Sequence, residues 1–114
     1  MNRLRMSPAA AALLRALAAR AAVPRDRILL TEIRSTDWQS LTFVGERHRF
    51  ALRVIEPQSR EAVDRLRKGL EDAEFDIPGH IVADVAIIGQ PKRAPDGSMS
   101  LIVEALTQLR RSLR

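Results

Sequence analysis

The sequence predicts an α+β domain: an antiparallel sheet of about five strands with two helices packed on one face, in the order α-β-β-β-α-β-β. Three observations carry this. Two stretches space their apolar residues as helices do, while the runs between and after them alternate at period two. At 114 residues the chain is long enough for one core and too short for two, so residues 1–114 read as a single domain. Ile, Leu, Val and Phe make up 32 of those residues, well above the roughly 20% below which disorder is expected.

The first helix starts at Ser7-Pro8, a hydroxyl N-cap followed by proline at the first helical position. Leu13, Leu14, Leu17 and Ala21 form its narrow apolar stripe, Arg15 and Arg20 lie off it, and Pro24 stops it. A basic membrane-surface helix is the alternative reading of this stretch. Arg27 to Ser35 is expected as the first strand, with Ile28 and Leu30 on one face and Leu29 and Ile33 on the other, so cover on both sides is expected.

The stretch from Asp37 to Ile55 reads as a hairpin turning at Gly45-Glu46, with glycine where a type II′ turn needs positive φ. That register places Leu41, Phe43, His48, Phe50, Leu52 and Val54 on a core face. Trp38, Ser40, Thr42, Val44, Arg47, Arg49 and Arg53 then share the other face.

The second helix is expected from Gln58 to Glu74, with Ala62, Val63, Leu66, Leu70 and Ala73 buried and an outer face of i,i+4 charge pairs. Gly69 is expected to mark close approach to the sheet. Glu71, Asp72, Glu74 and Asp76 form an acidic knot at the end of the helix. His80 to Gly89 is the most hydrophobic strand, apolar on both faces except for Asp84, and is expected to be central or buried at an interface. After a polar loop, Gln90 to Gly97, a last strand runs to about Ala105. A short helix or tail is expected through Arg114.

The chemistry is sparse. With no cysteine there is no disulfide framework and no thiolate metal site, and no cofactor is implied. Met1 to Arg5 has the charge of a signal-peptide front, but arginine interrupts the hydrophobic stretch behind it too early, at Arg15, so no signal peptide is expected. No run is long enough to span a bilayer, and a cytoplasmic, non-membrane protein is expected. His48, between Phe43 and Phe50, reads as a buried neutral histidine. His80, Asp84 and Glu104 form a candidate polar site, the basis of an enzyme reading that no catalytic or cofactor motif supports. Whether Asp84 and Glu104 share a face is left open by the loop between their strands.

The candidate binding surface is Trp38, Arg47, Arg49 and Arg53. Arginines at period two with a tryptophan beside them suit phosphates and bases, so nucleic acid is one possible partner. The net charge of +5 is unevenly spread: residues 1–55 carry ten arginines against four acids, and residues 56–104 six basic residues against ten acids.

Helix, three strands and helix over residues 7–74 resemble the double-stranded-RNA-binding domain in element order. The stretch where that family carries a lysine cluster is here the nearly neutral Ser59-Arg60-Glu61-Ala62-Val63-Asp64. The full order, with two strands following, is similar to the small dimeric chaperones of type III secretion. That resemblance implies a small non-enzymatic protein-interaction or assembly module that dimerises and holds a protein partner along its sheet or helices. The aliphatic residues on both faces of the His80 to Gly89 strand lead to the same expectation, a homodimer through the sheet face or the edge of the last hairpin, with Asp84 or Glu104 paired to an arginine in or near the contact.

Overall fold

A computed structural model of the chain describes residues 5–110. Helix α1 (Pro8–Ala21) leads into a single turn of 3-10 helix and then a hairpin of two long strands, β1 (Ile28–Gln39) and β2 (Val44–Val54). Helix α2 (Ser59–Arg67) follows, then the two-residue β3 (Asp76–Ile77) and a second long hairpin, β4 (His80–Arg93) with β5 (Met99–Leu109). The five strands form one antiparallel sheet in the order β1-β2-β5-β4-β3. The expected class, strand number and pairing sense are those observed.

The strands are distributed differently, two before α2 and three after it, so the order is α-β-β-α-β-β-β. The expected break near Ser35 does not exist, because β1 runs on to Gln39 and pairs with the whole of β2. The hairpin therefore turns at Ser40 to Phe43 and not at Gly45-Glu46. Serine chemistry makes that loop: Ser40 Oγ accepts from the Thr42 amide at 3.3 Å and the Phe43 amide at 3.1 Å, and the Ser40 amide donates to the Phe43 carbonyl. Leu41 and Phe43, expected in the core, lie at the exposed tip, and Leu41 has no cover at all, at 103% relative exposure.

Both helices pack on one sheet face. The core joins Leu13, Leu17, Val63 and Leu66 from the helices to Phe50, Leu52, Val54, Leu101 and Val103 from β2 and β5. Ser7 caps α1 by accepting from the Ala10 amide, and the four stripe residues are buried, so α1 is a packing helix. Two arginines tie the helix ends together. Arg20 donates to the carbonyls of Leu66 and Lys68, and Arg65 donates to the Ala21 carbonyl, each satisfying carbonyls that the other helix leaves free at its C-terminus.

Helix α2 stops at Arg67, short of the expected Glu74. Gly69 takes a left-handed φ of 66°, which ends the helix, and its place is not one of tight approach. None of the expected i,i+4 ion pairs forms among the described residues.

Two β-bulges correct the reading of two-sided strands. In β1 the register shifts between Leu30 and Glu32, so Ile28, Leu30 and Ile33 all pack on the core. In β4 it shifts between Val82 and Asp84, so Val82, Val85 and Ile87 point inward together. Neither strand is sandwiched. Strand β4, expected to be central or buried at an interface, is not central: it has only the two residues of β3 beyond it, so most of its outer edge is open. It also continues through Pro91 to Arg93, past the expected end at Gly89. Strand β5 likewise continues to Leu109, and the expected tail beyond Arg110 lies outside the described residues, as do Met1 to Leu4.

Candidate interaction site

The face of the sheet turned away from the helices curls into a groove of about 500 Å3. Its lining follows from the register as cross-strand rungs. One rung runs Arg34, Arg49, Glu104, Ala86 across β1, β2, β5 and β4; the next runs Thr36, Arg47, Leu106, Asp84. A third, Trp38, Gly45, Gln108, Ile81, lies toward the hairpin tip. The β1–β2 side of the groove is thus cationic and the β5–β4 side carries the acids.

Trp38 is on this face, half-buried and stacked on Phe43 with ring centroids 6.4 Å apart. Arg49 forms an ion pair with Glu104 at 2.8 Å, half exposed to solvent. Arg47 is exposed and has no ion-pair partner among the described residues. Arg53 points the same way but is committed elsewhere. It donates to Ser98 Oγ at 2.9 Å and to Asp96 Oδ2 at 2.6 Å, tying β2 to the loop before β5. Hydrogen bonds from the Ser98 hydroxyl and amide, with Arg53 adding to them, hold the Asp96 carboxyl below its ordinary range. Of the expected surface, then, Trp38, Arg47 and Arg49 share the groove face while Arg53 belongs to a structural clasp.

Asp84 and Glu104 do share a face and both line the groove, one rung and one strand apart. His80 does not join them. It sits at the start of β4, its Nδ1 2.9 Å from the Pro78 carbonyl. The expected triad of polar residues is therefore split. Among the described residues no group of three or more His, Cys, Asp or Glu side chains is placed to hold a metal ion.

Arg34 was absent from the expected surface, because a strand ending at Ser35 gives it no place beside Arg49. A strand continued to Gln39 would have found it.

His48 is buried on the opposite, helix-covered face, as its position between apolar residues implied, and stacks on Phe50. It makes two hydrogen bonds, with Ser35 Oγ through Nδ1 and with Thr107 Oγ1 through Nε2, each at 2.8 Å. Glu46 lies 3.9 Å from Nε2 and accepts from Ser7 Oγ, linking the cap of α1 to the sheet. Burial lowers the His48 pKa, Glu46 works against that, and His80 adds to the lowering. With both nitrogens held by hydroxyls, the buried Thr107 on one side and the exposed Ser35 on the other, this is a polar brace across three strands.

The molecule is a small α+β module with a sheet face of charged rungs, an apolar hairpin tip and a histidine sealed into the core. The chain belongs to the tail completion protein gp17 family, whose model matches residues 1–107. No match is found among curated proteins. The three strands between helices on which both sequence resemblances rested are two in the structure. No helix among the described residues is long and apolar enough to cross a membrane.

Proposed function

We propose that this chain is a non-enzymatic assembly module that takes part in completing a phage tail by binding other tail proteins through the groove face and the β1–β2 tip. The observation that carries the reading is the family match over residues 1–107. The surface supports it: Leu41, Phe43 and Val44 are exposed together at the tip of a long hairpin, the kind of clustered apolar surface that marks a protein contact. The expected cytoplasmic setting goes with this reading. The test is to assemble particles without this chain and add the purified protein. Completed tails in electron micrographs are the expected result, and particles unchanged by the addition would overturn the reading.

The open edge of β4 favours a second element of the proposal, self-association. Ile88 is exposed on that open stretch, and an unpaired strand offers its backbone to another chain. The expected homodimer places Asp84 or Glu104 against an arginine in the contact; Glu104 already has Arg49 of its own chain, which leaves Asp84 for that role. Sedimentation over a tenfold range of micromolar concentrations tests it, with dimer growing as concentration rises. A monomer throughout would remove self-association and leave the binding of other tail proteins standing.

A further inference from the structure

The charges in the groove are arranged in a way that folding alone does not explain. Arg34 is directly opposite Arg49, and like charges facing each other across a strand pair are destabilising. Glu104 neutralises Arg49 on the same rung, and among the described residues nothing comparable serves Arg47, whose cross-strand neighbours are Thr36 and Leu106. Among the described residues Arg34 reaches only Glu32, at 3.7 Å, with both side chains more than half exposed. Asp84 is the natural counter-charge, yet it sits on the far side of Leu106 from Arg47, two strands away, or roughly 9.5 Å of sheet width. The result is a groove with cations along one wall, a carboxylate on the other and an aliphatic residue between them.

We propose that this groove takes an extended acidic segment of another protein, with carboxylates at alternate positions along the β1–β2 wall and an apolar residue over Leu106. The proposal rests on the assembly reading above and names the chemistry of the partner. Successive rungs are two residues apart, about 6.7 Å along a strand, which is also the spacing of same-face side chains on an extended peptide. A strand with carboxylates at i and i+2 therefore meets the Arg34–Arg49 rung and Arg47 in turn. A nucleic-acid duplex fits less well. Laid across the groove it spans all four strands, about 14 Å of sheet, and sets its phosphates against Asp84 and Glu104 as well as the arginines.

Trp38, the chain's one tryptophan, lies one rung from Arg47 and gives the signal for a test. The full chain is titrated at low salt with three probes: a short peptide alternating glutamate and valine, the same peptide with lysine for glutamate, and an oligothymidylate. A saturable change in Trp38 fluorescence with the glutamate peptide alone is expected. Its affinity should weaken about tenfold or more in the R34Q/R47Q double variant and fall with added salt. Tighter binding of the oligothymidylate would overturn the proposal in favour of nucleic acid. No saturable response to the glutamate peptide, or an equal one from the double variant, would overturn it outright. Adding the double variant to particles assembled without the chain separates the two readings. Wild-type protein that completes tails beside a variant that does so equally well would sink the groove and spare the assembly role; failure of both would sink the role itself.

Discussion

Arg34 and Arg49 face each other on one rung of the β1–β2 ladder, two guanidinium groups on adjacent strands, with Glu104 2.8 Å from Arg49 and the exposed Glu32 3.7 Å from Arg34. Replacing Arg34 with threonine removes the like-charge contact and puts a good strand former in its place. The expected result is a gain of about 0.2–1 kcal/mol in urea unfolding, shrinking as salt screens the wild-type repulsion. A less stable variant would mean that Arg34 contributes a contact worth more than the repulsion it causes.

Much of the fold was legible because the strongest patterns were the ones that mattered. Ser7-Pro8 and the Leu13, Leu14, Leu17 stripe gave α1, and the alternation from His48 to Val54 gave the buried face of β2. What was not legible turned on single residues that break a period. Leu30 and Ile33 differ by three, so strict alternation puts them on opposite faces; one bulge puts both inside. The same holds for Val82 and Val85. A period of two has no means of announcing where it slips, and each slip was read as a strand with two apolar faces. The site suffered for a related reason. With β1 ending at Ser35, Arg34 has no place beside Arg49 and Trp38 none beside Gly45, their partners across the ladder.

The hairpin makes its own prediction. Phe50 is fully buried and Phe50→Ala should cost about 3–5 kcal/mol, as large-to-small core changes do. Leu41, fully exposed in the loop, should tolerate serine within about 0.5 kcal/mol. Equal losses from the two substitutions, measured by urea denaturation, would restore the shorter turn and contradict the long hairpin.

Gly45 is conspicuous for a different reason than the turn first assigned to it. It lies within β2, and a Cβ added there would run into the backbone carbonyl of Thr107 on β5. Backbone cannot swing aside as a side chain can, so Gly45→Ala should force the two strands apart and cost about 1–3 kcal/mol. Amide exchange should quicken around Gly45 and Gln108, which are paired across that gap. Had Gly45 been a turn residue in open solvent, alanine would have strained only its own φ and left exchange in β5 unchanged.

His48 should leave a mark on the acid side of the stability curve. Burial lowers its pKa below the ordinary 6.5, with Glu46 opposing and His80 reinforcing the shift. A native-state pKa below the unfolded one means that the unfolded chain binds the proton more readily. The stability associated with neutral His48 is then complete above about pH 6.5 and declines as the pH falls from there to the native-state value, below which it is lost. Replacing His48 with glutamine removes the titration while keeping hydrogen-bonding groups near Ser35 and Thr107. The stability difference between wild type and His48→Gln, followed by urea unfolding from pH 7.5 downward, should narrow as the solution becomes acidic. Glu46→Gln should make the wild-type decline steeper, because it removes the one carboxylate that favours the protonated ring. His80→Asn should make it shallower, since His80 pushes the other way. A difference that widens toward acid would show the reverse order of forces, with the attraction of Glu46 exceeding the cost of burying a charged ring between Phe50 and Thr107.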